Sequence, residues 1–380
     1  MATPHPYSDE LSLALRAIHA ASLLTKSVLR SLSNHVSAET KADDSPVTIA
    51  DFAAQAIIIA AVHAAYPSDT FIGEESADAL RENVHLAEQV WQLVLRASSS
   101  SAPPSSDPQH EPSHEVPLTF PASKADMLDA IDLGAGTSTA TGRVWVLDPV
   151  DGTATFMEGQ QYAVCLCLLV DGVQQLGVIG CPNLQFDASS SALTLGGRIH
   201  EDLVDADSHG VVLSAVKGSG TYVRSMHVAE LGEPRRVSLR QQTPKPLTAL
   251  NFIESSLGKT SLSQAEHRAV AESLGVKDWP GTVIWSQQIK YVALTLGAAD
   301  VMLRLPTDKQ RYTCTWDHAG GQLLFQEAGG IIRDIEGGAL DFKQGRKILG
   351  ERNFGMVAAM PWCFDQVMQA VQEVLEKRVR

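Results

Sequence analysis

Asp148 and Asp151 close the apolar run W-V-L-D-P-V-D-G-T (Trp145 to Thr153), three residues apart with a proline between them. Aspartate is depleted from strands, and two carboxylates this close repel each other unless a cation sits between them. They are either solvated turn residues or the ligands of something positive. Three other acidic landmarks bear on the choice. In S-P-V-T-I-A-D (Ser45 to Asp51), Asp51 is expected to open a helix; in F-I-G-E-E-S (Phe71 to Ser76), a glycine releases Glu74 and Glu75 from a strand; in T-W-D-H-A-G-G (Thr315 to Gly321), Asp317 stands at a helix start. Taken singly, each has an ordinary reading, such as a helix cap or a strand exit. Together they form an all-oxygen ligand set suited to hard cations such as Mg²⁺, which take one or two carboxylates each, keep several waters and leave room for a substrate phosphate. Pro149 stiffens the turn, and the Val150 carbonyl is expected to be exposed there. Gly152 and Thr153 offer N–H groups and a hydroxyl where a helix begins, a favourable seat for phosphate. Metal ions at such a site would polarise a phosphoryl oxygen, activate water and steady the leaving oxygen.

The elements that must position these residues follow from periodicity and breakers. Helical spacing runs from Asp9 to about Leu32, with Ser8 as a cap, and again from about Ile49 to Ala65 ahead of Pro67. Asp69 to Gly73 reads as a short strand. Two apolar runs, Tyr162 to Val170 and Val173 to Cys181, flank Asp171-Gly172 and predict a hairpin; a second hairpin is expected around Lys217 to Gly220. Helices are expected over Ser263 to Leu274, Gln287 to Leu296, Trp316 to Ala328 and Pro361 to Lys377, separated by strands at Asp300 to Leu305, Ile331 to Asp334 and Phe354 to Ala359. This predicts mixed sheets layered with helices, and no internal repeat. Residues 97–117, rich in Ser and Pro and without periodicity, are expected to form a disordered surface insertion. His110 and His114 within it are expected to be solvated loop residues and not a metal pair.

The 380 residues, 44% of them hydrophobic, suffice for two or three core units. A net charge of −14 argues against nonspecific binding to nucleic acid or to an anionic membrane. No stretch has the apolar length of a membrane span, and the N-terminal residues fit neither a signal nor a transit peptide. Five cysteines without a CxxC are read as buried, reduced thiols. A cytoplasmic monomer is the expectation.

In this order, S-P-V-T-I-A-D, G-E-E-S, D-P-V-D-G-T and W-D-H-A-G resemble the inositol monophosphatase superfamily of magnesium-dependent, lithium-sensitive phosphatases. The resemblance runs from the first helix to the last, omitting the insertion. It implies an α+β fold, the layered α/β/α/β/α sandwich of the inositol monophosphatase and fructose-bisphosphatase type. The expected division is an N-terminal α+β metal-binding subdomain over residues 1–155 and a C-terminal α/β subdomain over 156–380 that completes the active site. D-S-P-V-T-I-A-D-F-A-A-Q, S-A-V-K-G-S-G-T and K-Y-V-A-L-T-L-G-A-A-D-V-M-L-R-L-P are most similar to the bisphosphate nucleotidase branch.

The resemblance implies two to three Mg²⁺ ions: Glu74, Asp148 and the Val150 carbonyl hold one, Asp148, Asp151 and Asp317 a second, and Glu74 reaches a third, with Glu75 pointing elsewhere. Asp51 and Thr153 would orient and deprotonate water. Gly152, Thr153, Ser286, Gln287, Lys290, Arg304 and Asp317 would meet the substrate, a phosphorylated nucleotide losing its 3′-phosphate, with its sulfated form as a second substrate. Two departures touch nucleotide recognition and neither touches the metals: Gln287 stands where a family S-x-x-K pattern has serine, and S-L-S (Ser261 to Ser263) lacks the family's histidine. An inositol phosphatase of the same superfamily is the alternative activity, and a catalytically silent ligand sensor a more remote one.

Overall fold

The computed structural model describes residues 6–34, 46–100, 118–189, 193–256, 258 and 260–378. Its first half brings α1 (Ser8–Asn34), α2 (Pro46–Ala65), β1 (Thr70–Gly73), α3 (Asp78–Glu82), α4 (Val84–Ser100), α5 (Lys124–Leu133), β2 (Arg143–Asp151) and α6 (Thr153–Met157). Strands β3 (Ala163–Val170), β4 (Val173–Cys181), β5 (Val211–Val216), β6 (Gly220–Ser225) and β7 (Arg235–Val237) follow. These strands, with β1 and β2, form one seven-stranded sheet in chain order. The β3–β4 turn has positive φ at both Asp171 and Gly172, the conformation that an Asp-Gly hairpin favours.

The rest of the chain brings β8 (Phe252–Glu254), α7 (Gln264–Ser273), β9 (Thr282–Val283), α8 (Gln287–Thr295), β10 (Val301–Arg304), β11 (Tyr312–Cys314), α9 (Ala319–Ala328), β12 (Ile331–Arg333), β13 (Lys347–Leu349), β14 (Met356–Ala359) and α10 (Phe364–Glu376), and with them a second sheet. Its order is β12-β14-β10-β8-β9, and β11 and β13 pair as a separate ribbon. Helices α1 and α2 cover the outer face of the large sheet, α8 and α9 lie between the two sheets, and α7 and α10 pack together beyond the small one. The architecture is α+β, with five layers.

The middle layer explains the sequence of β3. Val164, Leu166 and Leu168 pack into the core beneath α1 and α2, whereas Ala163 and Cys165 belong to the core around α8 and α9. A strand buried on both faces reads as a continuous apolar run rather than an alternation. Glycines let the middle helices approach closely: a Cβ at Gly177 would meet the Gly320 backbone at 3.1 Å.

The structure corrects several expectations. Helix α4 runs to Ser100, so residues 97–100 are its last turn and not part of a loop; residues 101–117, with His110 and His114, lie outside the described residues. Asp51 does not open α2, which starts at Pro46; it sits in the second turn, because proline is well tolerated at a helix's first position. Among the described residues no helix is long and apolar enough to cross a membrane, and all five cysteines are free, four of them buried.

A Cβ at Gly321 would lie 2.6 Å from the Tyr291 ring and press on the Gln288 carboxamide. Gly321→Ala should therefore destabilise the protein by about 1–3 kcal/mol, the usual cost of overpacking. Urea unfolding followed by circular dichroism checks this, and a midpoint at or above that of the parent protein would remove close α8–α9 packing as the reason for this glycine.

Candidate active site

A regular strand sends residues three apart to opposite faces of its sheet. Trp145 and Leu147 of β2 pack outward beneath α1 and α2, while Val144 and Val146 face inward. Asp148 shares that inward parity. Its partner in the register is Cys165, whereas Asp151 pairs with Ala163, so β2 carries one residue more than β3 between the two pairs. This bulge resets the alternation. Val150 now packs outward, and Asp151 joins Asp148 on the inner face. Pro149, which has no N–H for the ladder, sits where the pairing is interrupted.

Three elements deliver the other carboxylates. Strand β1 runs parallel to β2 with Gly73 beside Leu147, so Glu74 emerges next to Asp148, and their side chains come within hydrogen-bonding reach. Asp317 follows β11 and precedes α9, whose N-cap is His318. One carboxylate oxygen each from Asp148, Asp151 and Asp317 lie within 4.8 Å of one another. Asp51 projects from α2, with Glu75 and Glu74 as the charges that act on it most. Glu75, expected to point away, is thus half-buried beside the cluster.

The cluster is electrostatically incomplete. Burial, Glu74 and Asp151 push the Asp148 carboxyl well above its ordinary range, and burial with Glu75 and Glu74 does the same to Asp51. Burial, then Glu75, raise Glu74 to about 7, although part of its side chain reaches solvent. Burial and Asp151 raise Asp317 to about 6. Asp148 Oδ1 and Asp51 Oδ1 are buried without a hydrogen-bond partner. Unpartnered buried oxygens on mutually repelling carboxylates fit a hard divalent cation, whose ligands are oxygens. Glu74, Asp148, Asp151 and Asp317 are the residues present to hold it.

Asp151 has a second duty. Its Oδ2 accepts from the Ser286 hydroxyl and the Gln288 amide at 2.5 Å each, and its Oδ1 accepts from the Gln287 amide at 3.2 Å. It therefore caps α8 alongside Ser286, whose Oγ also accepts from the Ile289 amide. Gly152 supports this join with φ 102°, and a Cβ there would lie 3.1 Å from the Ser286 side chain. The Val150 carbonyl is not at the surface: the residue is buried, and the carbonyl accepts from the Thr153 hydroxyl at 3.4 Å. No hydrogen bond joins Asp51 to Thr153 among the described residues.

Two cations stand beside the carboxylates. Arg304 donates to Gln287 Oε1 at 2.6 Å and to Thr313 Oγ1 at 3.2 Å, and the Thr313 hydroxyl lies 3.3 Å from Asp317 Oδ2. Gln287 in place of serine therefore supplies a neutral brace for the arginine. Lys290 is buried, donates to Ser255 Oγ at 2.6 Å, and is drawn down to about 8 by burial and by Arg304. It is not the solvated helix charge that its position suggests.

Sequence reasoning missed the residues that hold these parts in place. Buried Gln55 accepts from the Glu75 amide at 3.1 Å and donates to the Glu75 carbonyl at 2.8 Å. Its place four residues after Asp51, on the same helix face, was the available signal. His267 bonds Glu254 through Nδ1 and accepts from the Leu305 amide at 3.0 Å through Nε2. It ties the strand end before Ser255 to the one after Arg304.

The raised carboxyls set a pH dependence. A carboxyl whose folded pKa exceeds its unfolded value favours folding when protonated, and that contribution is lost as pH rises through the folded value. For Glu74 and Asp317 the loss falls as pH passes about 6 to 7. In excess chelator the Tm should fall between about pH 5 and pH 8, and saturating Mg²⁺ should flatten that slope. Calorimetric melts at both conditions check it; an equal slope with and without Mg²⁺ would mean that no cation neutralises the cluster.

Residues 114–366 match the model of the inositol monophosphatase family. Over 97% of its length the chain is 38% identical to a 3′(2′),5′-bisphosphate nucleotidase of Emericella nidulans, covering 99% of that protein. It is 36% identical over 98% of its length to one from Schizosaccharomyces pombe, covering 97% of it, and 32% identical over 97% to a 3′,5′-bisphosphate nucleotidase 2 of Arabidopsis thaliana, covering 98%. Among solved structures, an inositol monophosphatase from Zymomonas mobilis superposes with a TM-score of 0.56 at 18% identity, over 97% of this chain and all of that one. Inositol monophosphatase II from Staphylococcus aureus gives 0.54 at 15% identity, over 95% and 92%. Sequence and fold agree: the chain belongs to the inositol monophosphatase family.

Proposed function

We propose that the chain is a magnesium-dependent phosphomonoesterase that removes the 3′-phosphate of adenosine 3′,5′-bisphosphate, and of its sulfated analogue, to leave the 5′-nucleotide and phosphate. The observation that carries the substrate class is Arg304, fixed beside the carboxylates by Gln287 and Thr313 and, among the described residues, without an ion pair to any of them. With Lys290 it forms a cationic pair next to the acidic cluster, and a substrate with a second phosphate needs such charges apart from the metals. The names of the full-length relatives support the same reading.

Glu74, Asp148, Asp151 and Asp317, with the Val150 carbonyl, would hold two to three Mg²⁺ ions, which when bound would supply Lewis-acid polarisation of the phosphoryl oxygens. Asp51 and Thr153 orient the attacking water. As its oxygen bonds to phosphorus, the proton passes to the Asp51 carboxylate. The P–O bond to the ribose breaks with its electron pair going to the 3′-oxygen, which takes a proton from solvent water. Gly152 and Thr153 seat the transferred phosphate, while Ser286 and Gln287 keep α8 and Arg304 in place for the remaining one.

Charge-assisted hydrogen bonds of the Arg304 kind contribute about 1.5–3 kcal/mol, so Arg304→Ala should lower kcat/KM for the nucleotide about tenfold to a hundredfold. The loss with inositol 1-phosphate, which has a single phosphate, should be much smaller. Phosphate release across both substrates measures this. Equal losses, or a parent enzyme that prefers the inositol ester, would overturn the nucleotide assignment.

Asp51→Ala and Thr153→Ala should each lower kcat by about a hundredfold or more with little change in KM, as expected for groups acting on the transferred proton. Steady-state kinetics at saturating Mg²⁺ decide; near-parental turnover in either variant would place water activation elsewhere.

A further inference from the structure

Arg346 enters β13 from a part of the chain far from both loops that it touches. Its Nη2 donates to the Gly73 carbonyl at 2.7 Å, and its Nη1 to the carbonyls of Gly134 at 3.0 Å and Gly136 at 3.3 Å. The plane of the guanidinium lies over the Trp316 ring, with 4.7 Å from its carbon to the ring centroid. The backbone repeats the link: the Arg346 carbonyl accepts from the Thr315 amide at 2.9 Å. Gly73 immediately precedes Glu74, and Trp316 immediately precedes Asp317. One side chain therefore fastens the residue before one carboxylate of the cluster to the residue before another.

Arg304 and Lys290 donate to side-chain oxygens, whereas Arg346 donates to main-chain carbonyls. Like Arg304, it forms no ion pair with a carboxylate among the described residues, even though the chain is strongly acidic. Its donors go to main-chain carbonyls, which need a planar fork with fixed directions, and its face goes to an aromatic ring; a lysine meets neither demand. Neutralising the cluster would require the opposite arrangement.

Resting on the reading that Glu74 and Asp317 help to hold the cation, we propose that Arg346 is a positioning residue that sets the affinity of the site for its divalent ion. It fixes the Glu74 and Asp317 loops relative to each other before the ion arrives. Ligands already in register lose less freedom on binding, and partners that orient metal ligands typically change affinity by ten- to a hundredfold.

The test compares the parent protein with Arg346→Lys and Arg346→Met, each stripped by chelator and titrated with Mg²⁺ by calorimetry. Asp148→Asn serves as the ligand-loss control. Both Arg346 variants should bind Mg²⁺ about ten- to a hundredfold more weakly, while their KM for the nucleotide at saturating Mg²⁺ changes by less than about twofold. Parental Mg²⁺ affinity in either folded variant would overturn the proposal. So would a KM at saturating Mg²⁺ that rises as much as the metal dissociation constant, since that marks general damage to the site. If the parent protein itself fails to bind Mg²⁺, or Asp148→Asn binds as well as the parent, the metal reading falls and this proposal falls with it.

Discussion

Two carboxylates three residues apart on a strand belong on opposite faces of a sheet, and the site depends on breaking that rule once. The extra residue that β2 carries between Asp148 and Asp151 turns both toward the middle layer. Once there they cannot avoid each other, and β1 adds Glu74 alongside because its parallel register places Gly73 against Leu147. Burial raises the energetic stakes, since charge that would be screened by water is held in a poorly polarisable interior. Geometry and electrostatics thus point to one resolution, a bound cation, and the oxygen-only ligand set narrows its kind.

The sandwich supplies what a loop alone could not. The large sheet is covered on its outer face by α1 and α2, and its inner face, with Asp148 and Asp151, is turned toward the middle layer. Helix α8 begins at that point, and its first amide groups close onto Asp151. A single carboxylate therefore belongs to the acidic cluster and also sets where the helix carrying Gln287 and Lys290 must start. The glycines of W-D-H-A-G-G let α9 sit close enough to bring Asp317 to the same place.

Much of this was legible in the sequence, because the chemistry lies at the ends of elements and element ends carry strong local signals. The Asp-Gly hairpin, the two-faced apolar run of β3 and the helices flanking the small sheet could be read to within a few residues. What was not legible depends on partners distant in the chain. Gln55 acts on the backbone of Glu75, Thr313 links Arg304 to Asp317, and Arg346 reaches the carbonyl of Gly73. A side chain that bonds main-chain carbonyls leaves no complementary residue type to find. Helices α4 and α5 were hidden for a different reason: they flank the Ser- and Pro-rich run, whose first residues form the last turn of α4 despite a composition that favours loops. Asp51 looked like a cap because aspartate is a common capping residue, whereas the start signal lies earlier, at Pro46 after Ser45.

The double duty of Asp151 has a consequence for how such a scaffold diversifies. The carboxylates of the cluster are spread over β1, β2 and the turn before α9, whereas Gln287 and Lys290 occupy one face of α8, with Arg304 on the strand beside it. The two sets meet at the capped start of that helix and again through Thr313, which joins Arg304 to Asp317. All of α8 from Gln287 to Thr295 is buried, so a change along it presses on α9 and on the capped start that holds Asp151. A scaffold wired in this way diversifies by coupled substitutions, since the helix that carries Gln287 and Lys290 is fastened to a carboxylate of the acidic cluster.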